Sequence, residues 1–142
     1  VLITQFMKDG KSGEIQALSS FPKAKIVETA PMKGFIWRMG EEQLEKARQD
    51  IKASLGQLAD EIRALKPRLI VLDELAVALA TRLISEDDAL RLIDTALEYG
   101  DTVVTGRYAG EKLKEKADYV SDIQAVKHPF DEGKPARKGI EF

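Results

Sequence analysis

The chain has 142 residues, of which 44% are hydrophobic and 32% charged, with a formal net charge of -2; this composition fits one soluble globular domain and excludes a disordered or collagen-like chain. The balance of 22 basic against 24 acidic residues gives no electrostatic case for a nucleic-acid or anionic-membrane partner. Without cysteine there is neither a disulfide frame nor a thiolate metal site, in keeping with a reducing cytoplasm, and no apolar run approaches the ~18 residues that span a bilayer.

Val1 to Phe6 is a β-rich run, so the chain opens inside a strand-like segment and on no methionine; the expectation is that the gene product begins earlier. A polar turn follows, then a short helix from Glu14 to Ser20 and a second strand from Ala24 to Thr29. Pro31 to Gly40 reads as a loop with an unusual aromatic load. Leu44, Ala47, Ile51, Leu55, Leu58, Ile62 and Leu65 then recur at spacings of three and four, which predicts one long amphipathic helix. Pro67 stops it, because proline has no N–H to donate. Gly56 inside the pattern weakens the helix by roughly 1 kcal/mol relative to alanine.

Leu69 to Leu72 is a continuous apolar run, the mark of a strand covered on both faces. A helix is expected from Glu86 to Tyr99, with Ser85 as N-cap and Gly100 as stop. Thr102 to Thr105 is a further buried strand, Glu111 to Ala117 a short helix, and Tyr119 to Ile123 another strand. Strands alternating with helices predict an α/β fold with a mostly parallel sheet and helices on both faces. No internal repeat or low-complexity linker interrupts residues 1–142, which read as a single domain.

Five short segments carry chemistry. G-K-S at Gly10 to Ser12 sits between a strand and a helix, but a phosphate-binding G-x-x-x-x-G-K-[ST] loop would need glycine where Gln5 stands. V-L-D-E at Val71 to Glu74 delivers two carboxylates at the C-terminal end of an apolar strand. That is the ligand edge of an open α/β sheet, and magnesium accepts one or two carboxylates with phosphate oxygens and water; by itself the pattern is also that of a surface acid pair. Phe35 and Trp37 either staple their loop to the core or face a ligand. Thr105, Gly106 and Arg107 follow a buried strand, where a guanidinium can clamp a phosphate, although an arginine there is more commonly a surface residue. His128 is the only histidine, which excludes a multi-histidine metal site; it and Lys127 are either structural or part of a binding surface. The basic cluster at Lys134, Arg137 and Lys138 reads equally as a solvated tail or an anion contact.

The ordered blocks V-L-D-E, T-G-R, A-D-Y-V, V-K-H-P-F and K-G-I-E-F resemble the P-loop type of corrinoid adenosyltransferase. Gln5-Phe6 and Lys11-Ser12-Gly13-Glu14 match that family's Q-F and K-x-G-E stretch, and Gly34-Phe35-Ile36-Trp37 its G-F-x-W loop. The chain departs from the pattern at Ala76, Tyr108, Pro135 and Arg137.

The resemblance implies a P-loop NTPase-like fold whose first strand, glycine-rich P-loop and helix precede the Q-F strand and are not among these residues. It implies transfer of the 5′-deoxyadenosyl group of ATP to the Co(I) of cobalamin or a related corrinoid, with magnesium at Asp73 and Glu74. Phe35 and Trp37 would press on the cobalt face and Glu74 would complete the catalytic set. Gln5, Glu14, Thr105, Gly106, Arg107, Lys127 and His128 would line the nucleotide or corrinoid site. A cytoplasmic homodimer served by a flavoprotein reductant completes the implied picture. The alternatives are a non-catalytic corrinoid- or nucleotide-binding protein on the same fold, and a nucleotide switch without a corrinoid.

Overall fold

The computed structural model describes residues 1–8, 13–30, 39–137 and 139–140. In chain order these form β1 (Leu2–Gln5), α1 (Gly13–Leu18), β2 (Lys25–Ile26), α2 (Glu41–Leu65), β3 (Leu69–Asp73), α3 (Leu75–Ala80), α4 (Glu86–Leu97), β4 (Asp101–Val104) and α5 (Glu111–Lys116), with a 3₁₀ turn at Pro129–Glu132. The four strands make one sheet in the order β2-β1-β3-β4, and every pairing is parallel. This is the α/β architecture expected from the alternation of strands and helices.

Register decides which side chains share a face. Leu2 pairs with Ile70 and Thr4 with Leu72, and Leu72 in turn pairs with Val104. Because successive side chains point to opposite faces, Leu2, Thr4, Ile70 and Leu72 lie together, and all four have no exposed surface. Onto this face pack Ile51, Leu55, Leu58 and Ile62 of α2 and Ala89, Leu92, Ile93 and Ala96 of α4.

The chain steps one way from β1 to β2 and the other way from β2 to β3 and from β3 to β4. With right-handed crossovers, α1 therefore lies on the face opposite α2 and α4. Helices thus flank both faces, but unequally. The second face carries Ile3, Val71 and Val103; α1 buries none of its own residues, and Val103 remains 44% exposed.

Helix α2 follows the predicted stripe. Ile51, Leu55, Leu58 and Ile62 are buried and Leu44 and Ala47 partly so, but Leu65 is 46% exposed, so the stripe ends a turn before the helix does. The Gln43 side chain accepts the Gly40 N–H at 3.1 Å, and Lys66 closes the helix in the left-handed region with its N–H on the Ile62 carbonyl. Gly56 lies on the solvent face, and a Cβ there would meet nothing within 4 Å. Gly56→Ala is therefore expected to stabilise the fold by about 0.5–1 kcal/mol; a urea midpoint no higher than wild type would contradict this.

Ser85 caps α4 as expected, its hydroxyl accepting the Asp88 N–H at 3.1 Å. Several local expectations fail. β4, expected as a buried strand, stands at the edge of the described sheet with Asp101 and Val103 exposed, and β2 is confined to Lys25–Ile26 of the expected Ala24–Thr29. Tyr119–Ile123 is not a strand: Tyr119 is 93% and Ile123 92% exposed, and the segment pairs with no described strand. β-propensity without a neighbouring edge does not make a strand. Conversely, α3 has no counterpart among the expected elements. Its sequence L-A-V-A-L-A has no polar positions from which a helical period can be read, and Leu75, Ala76 and Ala78 are buried.

A candidate nucleotide and metal edge

The C-terminal ends of β1, β3 and β4 all finish in backbone of positive φ: Met7 (64°), Glu74 (62°), Gly106 (131°) and Tyr108 (63°). Non-glycine residues there cost roughly 1–2 kcal/mol each, and such conformations cluster where a backbone is held for a purpose. Gly106 is required on steric grounds as well, because a Cβ would come within 3.0 Å of the Ala76 Cβ and the Val77 backbone nitrogen. The loop after β4 thus lies directly on the start of α3.

At this edge Asp73 is held from three sides. The Thr105 hydroxyl donates to its Oδ1 at 2.7 Å. The Gln5 amide donates to its Oδ2 at 3.1 Å, and the Lys8 ammonium lies 3.3 Å from the same oxygen. Register explains the convergence, since Gln5 is the Cα partner of Asp73 and the Phe6 N–H continues the ladder to the Asp73 carbonyl at 2.8 Å. Thr105 also accepts the Glu74 N–H through its hydroxyl at 3.0 Å and the Ala76 N–H through its carbonyl at 3.1 Å. One threonine therefore fixes Asp73, the strained Glu74 backbone and the first turn of α3.

Glu14, at the start of α1, joins the cluster from the other face. It accepts the Gln5 amide at 3.0 Å and pairs with Lys8 at 2.5 Å. The Lys8 hydrogen bond is the main reason its carboxyl is lowered to about 2. Partial burial opposes the charged form of Lys8, but its bonds to Glu14 and the charge of Asp73 outweigh this and hold its pKa above the ordinary value. Lys8 is a site residue that the motifs miss. Its one signal in the sequence is position, two residues past Phe6 at the start of a polar turn.

The two adjacent carboxylates differ. Asp73 already takes three donors, whereas no hydrogen bond or ion pair to a described residue engages the Glu74 carboxylate. Among the described residues no group of three histidine, cysteine or acidic side chains is gathered as a metal cage. A hard divalent cation here would take one or two carboxylates and draw its remaining oxygens from phosphate and water, which is how magnesium commonly binds with a nucleotide. The donor set fits that ion.

The other anticipated residues are more scattered. Arg107 follows Gly106 on the same loop, with its guanidinium 6.0 Å from the Tyr108 ring centroid. Lys127 and His128 are exposed; Lys127 pairs with Glu132 at 3.4 Å and His128 Nδ1 accepts the Phe130 N–H at 3.1 Å, capping the 3₁₀ turn. Neither touches the Asp73 cluster through any described bond. Phe35 and Trp37 lie outside the described residues. A cavity of about 550 Å³ opens between α2, the α3–α4 connection and α5; Arg48, Leu55, Arg82, Tyr108 and Leu113 are among its lining.

The acid pair thus ends a central parallel strand, tied to the T-G-R turn after the next strand, at the edge where open α/β sheets bind their ligands. The model of the ATP:corrinoid adenosyltransferase BtuR/CobO/CobP family matches residues 1–142. The chain belongs to this family. It is 34% identical over 143 residues to a corrinoid adenosyltransferase of Pseudomonas aeruginosa, covering 99% of this chain and 68% of that protein. It is 33% identical over 112 residues to a corrinoid adenosyltransferase of Sinorhizobium, covering 77% of this chain and 50% of the relative. Over 74 residues it is 30% identical to the corrinoid adenosyltransferase CobA of Salmonella typhimurium, covering 52% of this chain and 38% of that protein. The chain therefore spans between about two thirds and two fifths of these relatives' lengths. Among the described residues no helix is long and apolar enough to cross a membrane.

Proposed function

We propose that this chain carries out adenosyl transfer from ATP to the Co(I) of cobalamin or a related corrinoid. The observation that carries the reading is the Asp73–Glu74 pair at the end of β3, locked by Thr105 of the T-G-R turn, in a chain whose whole length matches the adenosyltransferase family. In the reaction the Co(I) lone pair forms the bond to C5′ of ATP, the C5′–O bond breaks, and triphosphate leaves with its electrons. Magnesium, held at Glu74 with Asp73, would supply neutralisation of charge on that leaving group.

The chain's own residues do the positioning. Thr105 and Gln5 fix the Asp73 carboxylate. The left-handed backbone of Glu74 turns the chain into α3 and leaves its carboxylate without a described partner. Arg107 offers a guanidinium on the adjoining loop for phosphate or a corrinoid side chain. Phe35 and Trp37 exclude water and the lower axial ligand from the cobalt face, which eases reduction of Co(II); large rigid rings do this at small entropy cost. Lys127 and His128 extend the binding surface. The reading includes a cytoplasmic homodimer that receives its electron from a flavoprotein.

The test is Trp37→Ala in the full-length protein, assayed from chemically prepared Co(I) and from Co(II) with reductant. Transfer from Co(II) should fall at least ~10-fold, about 1.4 kcal/mol of barrier, while transfer from Co(I) changes little. Equal activity from both sources would remove the ring pair from the mechanism. Corrinoid binding by the wild-type protein with no adenosylcorrinoid formed would establish the non-catalytic alternative instead.

A further inference from the structure

Lys8 bridges the two carboxylates of the β1–β3 edge, lying 2.5 Å from Glu14 Oε1 and 3.3 Å from Asp73 Oδ2. With Gln5 on the same Asp73 oxygen and Thr105 on the other, each carboxylate oxygen of Asp73 already faces a donor. A divalent cation can take Asp73 Oδ2 only by displacing the Lys8 ammonium, and anywhere on this carboxylate it meets the repulsion of that charge 3.3 Å away. Protein groups at the edge do not pull it off: the Lys8 side chain is partly buried, and its ammonium lies between its two acids. A polyphosphate is different. It brings several negative charges and strong acceptor oxygens to the same edge, and an ammonium on a flexible four-carbon stem can turn to them.

From this geometry we propose that Lys8 is the resident counter-cation of Asp73, keeping divalent metal off the acid pair until a nucleotide's phosphates draw its ammonium away. Metal would then arrive with the nucleotide and not before it. This rests on the reading of Asp73 and Glu74 as the magnesium carboxylates. Lys8 acts through Asp73 and is a positioning residue; Glu14 is its tether, and the two acids compete for one ammonium.

The consequence has opposite signs for two variants. Lys8→Met removes the competing charge, and a metal beside uncompensated carboxylates at this partly exposed depth gains roughly 3- to 10-fold in affinity. Glu14→Gln leaves the ammonium to Asp73 alone and should weaken metal binding in the absence of nucleotide. Lys8→Arg keeps the charge and should resemble wild type.

The measurement is Mn²⁺ binding by the full-length protein, followed by electron paramagnetic resonance with and without ATP. Thermal melts establish that each variant is folded, and Glu74→Gln serves as the site control. Tighter nucleotide-free binding in Lys8→Met that Glu74→Gln abolishes, together with weaker binding in Glu14→Gln, is the expected result. Nucleotide-free affinity that is unchanged or lower in Lys8→Met, while wild type with ATP still binds Mn²⁺ through Glu74, overturns the role of Lys8 and leaves the metal reading standing. Binding insensitive to Glu74→Gln under every condition overturns both.

Discussion

Glu74→Gln is expected to lower adenosyl transfer about 100- to 1,000-fold, the usual cost of removing one preorganised charge-stabilising group, without loss of the fold. Glu74 is the acid of the pair whose carboxylate has no partner among the described residues, so neutralising it breaks no described bond. Its structural contribution runs through the backbone: the N–H on Thr105 at 3.0 Å and the left-handed turn into α3, both of which glutamine retains. Asp73→Asn is a poorer probe. It would strip a charge from beneath Lys8 while Gln5 and Thr105 still donate there, and a donor left facing another donor costs stability as well as activity. The measurement is kcat as a function of magnesium concentration, with a thermal melt alongside. A variant that keeps more than about a third of wild-type turnover with the same magnesium dependence would show that Glu74 does not hold the ion.

The sequence carries the parts of this edge whose signal is local. An apolar run ending in two acids places Asp73 and Glu74 at the C-terminal end of β3, and the three-and-four spacing of Ile51, Leu55, Leu58 and Ile62 places α2 over the core. What it does not carry is pairwise. Lys8 becomes a site residue because β1 pairs with β3 in a register that sets Gln5 against Asp73, and nothing in residues 5–8 states that register. Thr105 reads from sequence as a ligand-facing residue of a T-G-R turn; the structure shows its hydroxyl spent on Asp73 and on the Glu74 N–H. The failed strand at Tyr119–Ile123 has the same cause in reverse, since its local propensity is real and no described partner edge meets it. Phe35 and Trp37 rest on motif alone, because their loop lies outside the described residues.

Gly100→Ala should destabilise the fold by about 3 kcal/mol or more, with a fall in Tm on the order of 10 °C. Gly100 looks from sequence like an ordinary helix stop after α4, yet its role is one of space. A Cβ there would lie 2.4 Å from the Pro67 carbonyl oxygen and 2.5 Å from the Arg68 carbonyl carbon. These are backbone atoms at the entry to β3, which no rotamer change can move. Gly100 also donates its N–H to Ala96, and Asp101 donates to the Arg68 carbonyl at 3.1 Å, so the strand entering beside β3 has no slack. Relief of the clash must push the start of β4 away from β3, loosening the pairing of Leu69 with Asp101. At the far end of the same strand stands Thr105, whose grip on Asp73 depends on β4 lying in register with β3. The identical exchange at Gly56, where a Cβ meets only solvent, is expected to stabilise, so the two variants melted side by side separate steric need from helix propensity. A Gly100→Ala melt within a few degrees of wild type would mean that the β3–β4 contact yields more readily than its close packing allows.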